Sequence, residues 1–530
     1  MFQEIAAQIT FSPSLPYLAT ALGVTSIGGL LGWRWWQRKN TYKSLESLPC
    51  PPKHWLLGNL PQVLAAVKQK KFFQLWFDWS KQLGPIYVFW MNPPLLVLGQ
   101  PKVIENTIVN GMKDGSLVRY ERIRKVSNEF GGAPVLVGQN GSEWQWRRQA
   151  WNPEFSSRGL SKYFNIINLA CEQVIARLQQ DRAQTEVKVD FLFVELTMKV
   201  ISSLVLGIPV DGKSSSSEGP PLDILKAHEA ISILGYRTLR LITGEKRWMK
   251  YLPTKASRDY WRARRYLEGL IGPRVDKALK MRAQNLTNWG QVSPMFQESM
   301  LVKIAAKEQK YTRKTLIAEA ILLLIAGTDT TAHTLSFAVG ELALNPRVFQ
   351  KAQAVVDQSW QSPGGLKGGI NTESLKKLSY IGGIIKETLR LYSVASGSTS
   401  LEAQRDTVIE GNLIPRGTII RFSMLAAGRD PEVYANPEEF LPERWLDQGK
   451  GSSPLPMINF SSGFHRCLGE HLAMLEATVI LAMLLRYFDW ELVNGRSSLE
   501  QLEQNLLMYP SDGMPVRFKA RDLESIEETY

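Results

Sequence analysis

The stretch from Phe460 to Glu476, FSSGFHRCLGEHLAMLE, constrains this chain more than any other, because it sets one cysteine in a backbone suited to close approach. Gly463 and Gly469 flank Cys467, and glycine serves where a chain turns with positive φ or lets a flat ligand lie against it. Apolar residues then recur at Leu468, Leu472, Leu475, Val479 and Met483, the spacing of an amphipathic helix. Cys467 therefore stands at or near a helix N-terminus, where the partial positive charge favours thiolate over thiol. Such a sulfur can hold a metal. Zinc wants about four ligands in pairs, whereas His465, Cys467 and His471 stand here without a second cluster among five histidines and three cysteines. The plain alternative is a small buried hydrophobe.

Three other stretches carry chemistry. Tyr311 to Leu344 is a long helical stretch whose uninterrupted apolar section, Ala320 to Ala326, predicts a helix passing through the core. It then turns polar at Gly327, Thr328, Asp329, Thr330 and Thr331, and Thr330 can bond back to the carbonyl of Ala326 and bend the helix. In YIGGIIKETLRLYS, Glu387 and Arg390 share one helix face. In GSEWQWRRQAWNPEF, a helix puts Trp144 and Arg148 on one face by their four-residue spacing. Taken singly, these read equally as a kinked core helix, a surface salt bridge and an amphipathic surface helix.

Together they resemble the cytochrome P-450 family of haem-thiolate monooxygenases. Phe460, Gly463, Cys467 and Gly469 fall at the steps of the family's cysteine loop, and Leu472, Ala473 and Glu476 continue its CxGxxLAxxE helix. Ala326, Gly327, Asp329 and Thr330 match A-G-x-D/E-T, Trp144 and Arg148 match WxxxR, and Glu387, Arg390 and Arg444 match ExxR and PERF. Two loop positions depart, with Ser461 where glycine is usual and His465 where arginine is usual. Ser393 stands where proline is common, and the arginine that many members place in the following strand is missing from SVASGSTSLEAQ.

The resemblance implies a mainly α fold with small β-sheets, a triangular helical prism around haem b. It implies Cys467 as the axial iron ligand, with Trp144, Arg148 and His465 toward the haem propionates and Phe460 and Gly463 shaping the loop. Ala326 and Gly327 would leave room over the haem, Thr330 would hydrogen-bond bound dioxygen and Asp329 would help relay protons. Glu387, Arg390 and Arg444 would brace the loop. The implied reaction inserts one oxygen atom from O2 into a lipophilic substrate: a fatty acid, terpenoid, carotenoid or sterol.

Nothing after Cys467 looks like a nucleotide-binding unit, so electrons are expected from a separate ferredoxin or flavoprotein reductase. The formal net charge of +13 favours an acidic face on that partner or an anionic membrane, and no nucleic-acid partner is expected. With only Cys50, Cys171 and Cys467, no disulfide framework is indicated. Leu15 to Trp33 carries no charge and is long enough to span a bilayer. Arg34, Arg38 and Lys39 follow it, which puts the rest of the chain on the cytoplasmic side. Residues 1–40 therefore read as an uncleaved membrane anchor, 41–60 as a proline-rich hinge and 61–530 as the catalytic domain. A haem-thiolate isomerase, a haem gas sensor and an anchored zinc protein are the competing readings. Asp329-Thr330 speaks against the first, since peroxide rearrangement has less use for a proton relay.

Overall fold

The computed structural model describes residues 40–180, 185–213, 218–242, 245–283, 292–361, 369–395, 400–446 and 457–524. The expected anchor lies outside them. The described chain is mainly helical with small sheets, as expected. Six helices build the site: α1 (Gly141–Phe155), α2 (Val189–Leu206), α3 (Ile224–Ile242), α4 (Arg313–Leu344), α5 (Ser379–Leu391) and α6 (Glu470–Tyr487).

Helix α4 begins with a reciprocal cap in which the Thr315 amide donates to the Thr312 hydroxyl and the Thr312 amide to the Thr315 hydroxyl. That satisfies two of the N–H groups a helix start leaves without partners. From Leu316 to Leu342 most of its side chains are buried. It is long and apolar enough to cross a membrane, yet 72% of its apolar window is buried within the protein. It is the core helix that its sequence predicts. Helix α2 lies against it so closely that a Cβ on Gly327 would come within 2.8 Å of Ile201. The Thr197 hydroxyl donates to the Thr328 carbonyl at 3.1 Å across the same contact.

The main sheet has the order β1-β2-β5-β4-β3, from strands β1 (Ile86–Phe89), β2 (Leu95–Leu98), β3 (Leu117–Arg119), β4 (Ser400–Ala403) and β5 (Ile419–Phe422). Strands β2 and β5 pair in parallel, Leu95 opposite Ile419, and the other pairings are antiparallel. Val88, Leu96, Leu98, Leu401 and Ile420 are fully buried in one cluster. Residues 409–413 do not form one strand. Glu410, at φ +46°, and Gly411, at φ +75°, turn the chain there, so the segment is a hairpin of Thr407–Ile409 and Asn412–Ile414. The last segment is sheet and coil, with Pro515–Ala520 antiparallel to Phe488–Leu492.

One carboxylate ties these parts together. Glu387, fully buried on α5, accepts from Arg390 at 2.7 and 2.9 Å, from Arg444 Nε at 2.9 Å, from Trp445 Nε1 at 2.8 Å and from the Leu441 amide at 2.9 Å. Arg390 spends its remaining donors on the carbonyls of Gly428, Pro437 and Glu439. The spacing of Glu387 and Arg390 had left an exposed pair open, but both are buried, where a charge is tolerated when its partners are complete. Glu387→Gln should therefore lower the unfolding free energy by roughly 3–5 kcal/mol, the cost of leaving a buried guanidinium uncompensated. Urea unfolding measures it, and a loss below about 1 kcal/mol, typical of exposed pairs, would contradict the assignment.

Candidate active site

The cysteine loop is pinned at both ends. Just before it, Asn459 donates to the Leu389 carbonyl at 2.8 Å and to the Ser393 hydroxyl at 3.1 Å, holding the loop on the end of α5. The Cys467 amide then closes the loop by donating to the Phe460 carbonyl at 2.8 Å. Gly463 takes φ +64°, the left-handed value its identity suggests. Ser461 also takes φ +64°, which explains why glycine suits that position better. Gly469 is not used for a turn: its φ is −88°, it is the N-cap residue of α6, and a Cβ there would meet nothing within 4 Å. No neighbouring protein atom demands glycine here. The space belongs to the cavity that Gly469 lines.

That cavity, of about 340 Å³, falls within the size range of ligand pockets. Cys467 opens its surface into it. The thiol's pKa is nevertheless raised, because burial outweighs the hydrogen bond from the Gly469 amide. Burial thus opposes the thiolate that the helix start favours, and a bound cation would stabilise it. Ala326, Gly327 and Thr330 of α4 line the cavity, with Leu136, Ile201 and Leu389 among its apolar walls. The Thr330 hydroxyl donates to the Ala326 carbonyl at 2.7 Å, the back-bond its sequence predicts. Asp329 is not part of the cavity wall. Its Oδ1 lies 3.1 Å from Nε2 of His228 on α3.

One end of the cavity is a cationic cradle. Trp144 and Arg148 of α1 both line it, as their spacing implies, and Trp144 packs on His465 with ring centroids 4.4 Å apart. Arg148 donates to the Arg466 carbonyl at 2.7 Å. Arg119, at the end of β3, joins them and donates to the carbonyls of Val137 and His465. Burial and the neighbouring Arg148 pull the Arg119 pKa down to about 10, and burial followed by both guanidiniums pulls His465 down to about 3. Among the described residues no carboxylate pairs with Arg119 or Arg148, and Arg119 Nε and His465 Nδ1 are buried without a hydrogen-bond partner. Sequence reasoning missed Arg119, a lone arginine in a three-residue strand whose position depends on β3 pairing with β4.

Comparison with known families decides what this arrangement belongs to. The family model described as Cytochrome P450 matches residues 48–518. The chain belongs to the cytochrome P450 family. Among curated relatives it is 25% identical over 468 residues to Cytochrome P450 4V2 of Mus musculus, covering 85% of this chain and 86% of the mouse protein. It is 25% identical over 507 residues to Cytochrome P450 4d1 of Drosophila melanogaster, covering 90% of this chain and 94% of the fly protein. It is 26% identical over 480 residues to Cytochrome P450 71D8 of Glycine max, covering 86% and 89%. The enzyme is a haem-thiolate monooxygenase of the P450 fold, and its cofactor is haem b.

The residues present fit that cofactor. A flat macrocycle needs an open face, which the missing Cβ of Gly469 leaves. Its two carboxylates need donors, which Arg119, Arg148 and the unpaired nitrogen of His465 offer. Its iron needs a soft ligand, and Cys467 is the cysteine in the wall.

The strap that closes the cavity is held by a second buried acid that sequence reasoning also missed. Glu319, three residues into the buried part of α4, accepts the Leu136 amide at 3.0 and 3.2 Å. Burial pushes its pKa up to about 8 even though Arg147 Nε lies 3.4 Å away. Arg147 finds its charge partner instead in Glu143 at 2.5 Å. The native carboxyl therefore keeps its proton between its ordinary value of 4.5 and about 8, while the unfolded chain gives it up. The native state binds more protons in that window, so this group's contribution to stability is complete below pH 4.5 and is lost as pH rises through about 8. Glu319→Gln keeps an oxygen for the Leu136 amide and removes the titration. Urea midpoints at two pH values near the ends of that window should lie closer together in the variant than in the parent protein.

Proposed function

We propose that Cys467 is the axial thiolate of the haem iron and that the enzyme inserts one oxygen atom into a fatty acid, terpenoid, carotenoid or sterol. The observation that carries this reading is a cysteine in the wall of a mostly apolar cavity that Ala326, Gly327 and Thr330 also line. A thiolate-bound haem supplies dioxygen activation by two electrons, the sulfur pushing electron density onto iron. The protein does the rest. Arg119, Arg148, Trp144 and His465 hold the cofactor's carboxylates, while Phe460 and the turn at Gly463 keep the cysteine facing the cavity. Ala326 and Gly327 keep the α4 wall low. Thr330, whose hydroxyl is already bent toward the Ala326 carbonyl, presents an oxygen to the reaction space, and Asp329 supplies the protons passing through it. Leu136, Ile201 and Leu389 exclude water and favour a lipophilic guest.

Electrons come from a separate ferredoxin or flavoprotein reductase with an acidic docking face, in keeping with the net charge of +13. Residues 1–40 anchor the protein as a single pass with the catalytic domain, 61–530, on the cytoplasmic side, and 41–60 form the hinge. Within that hinge, Trp55 is 84% exposed, with Leu56 and Leu57 also exposed, which suits contact with a lipid surface.

Titrating the ferric holoenzyme with representatives of the four lipid classes should give a spin-state absorbance shift with at least one. Shifts with none of them, and with polar probes instead, would overturn the substrate class. Thr330→Ala should raise hydrogen peroxide released per reduced nicotinamide consumed by about tenfold or more, since a positioned proton-transfer group contributes about 10²–10⁴-fold. An unchanged yield would remove Thr330 from the proton path.

A further inference from the structure

Asp329 is not among the residues that line the cavity, and this raises the question of what holds it and what supplies it with protons. Its side chain is 17% exposed, and Oδ1 meets His228 Nε2 at 3.1 Å. No Lys or Arg among the described residues pairs with Asp329, so a titratable imidazole stands where a permanent cation could have stood. His228 is on α3, a different helix, 101 residues away in sequence, and its side chain is 24% exposed. The imidazole is thus partly exposed while its Nε2 touches the carboxylate. The Ser232 hydroxyl, one turn on along α3, lies 3.4 Å from the same Nε2.

The other nearby histidine is differently placed. His333, one turn beyond Asp329 on α4, is buried, bonded through Nδ1 to Asp190 at 2.8 Å, and its ring lies against Tyr509. Asp190 is further held by the Ser336 hydroxyl at 2.8 Å. That pair is sealed between helices and has no exposed member. Of the two, His228 is the one that both contacts Asp329 and is partly exposed to water.

We propose that His228 is the positioning and proton-supplying residue for Asp329. This rests on Asp329 being the acid of the proposed reaction. In the charged pair, the imidazolium and the carboxylate attract each other and keep Asp329 on the α3 side, outside the cavity. Transfer breaks the His228 Nε2–H bond and forms an O–H bond on Asp329 Oδ1. The N–H electron pair stays on nitrogen, and the imidazole regains a proton from solvent. Until that proton returns both groups are neutral, the Coulomb attraction is gone, and the carboxylic acid is free to turn toward Thr330, the next residue, which does line the cavity. Delivery is thereby coupled to α3: moving that helix away leaves Asp329 without its supply.

The test uses the holoenzyme with His228→Gln, Asp329→Asn and both changes, driven by a plant-type ferredoxin and its reductase as surrogate donor. Gln preserves a nitrogen donor near Nε2 but cannot pass a proton, so a purely holding role survives it and a supplying role does not. The expected result is that His228→Gln raises peroxide per reduced nicotinamide about tenfold, the low end of proton-transfer losses. Asp329→Asn should do the same, and the double variant should be no worse than either. A wild-type peroxide yield in His228→Gln alongside a raised one in Asp329→Asn overturns the role of His228 and leaves that of Asp329 standing. Wild-type yields in both remove Asp329 from the reaction and the inference with it. A second readout is independent of turnover: in urea unfolding, His228→Phe and Asp329→Asn should be non-additive, because each removes the same contact. Additive effects would mean that the contact does not form in solution and would overturn the proposal.

Discussion

The buried carboxylate of Glu387 is the interaction on which the rest of the site depends. It gathers two guanidiniums, an indole N–H and a backbone amide, and through Arg390 it fixes three carbonyls of the segment that runs toward the cysteine loop. The end of the same helix receives Asn459, the residue before the loop begins. Helix α5 thus carries the tension of the loop at one end and of the preceding coil along its length. A buried charge with every partner present holds its geometry tightly, because any displacement leaves a charge unpaired in a medium that cannot solvate it.

Charge is distributed unevenly around the cavity. The loop side and its cradle carry Arg119, Arg148 and a neutral His465 with no carboxylate pairing among the described residues, so the protein's own groups leave positive charge unbalanced there. Three acids lie on or against α4, each neutralised in its own way, while burial raises the pKa of Glu476 of α6, a fourth acid that lines the cavity, well above its ordinary value. Glu319 is held protonated by burial up to about pH 8, Asp190 is paired with His333, and Asp329 meets His228. An anionic cofactor completes the first side. The second side is left with one acid, Asp329, whose partner is both titratable and partly exposed.

What could be read from the sequence follows the range of the contact. The Thr330 back-bond and the Glu387–Arg390 pair are local helical contacts, and both were legible in residue spacing. Short loop motifs were legible through family resemblance, including the positive φ of Gly463. Long-range contacts were not legible. Arg119 reaches the cradle because β3 pairs with β4, almost three hundred residues later, and His228 reaches Asp329 through the packing of α3 on α4. Two positions carry a second force that spacing does not show: burial raises the thiol pKa at Cys467, and the closeness of α2 adds to the need for glycine at 327.

The thiolate ligand is the central claim, since the cradle, the low α4 wall and the proton path have meaning only around it. The most direct measurement is the absorption spectrum of the dithionite-reduced holoenzyme with carbon monoxide. Ligation by Cys467 predicts the strongly red-shifted Soret band of a thiolate haem, lost in Cys467→Ser. A band at the shorter wavelength of a nitrogen-ligated haem in the parent protein, or a red-shifted band that survives in Cys467→Ser, would contradict it.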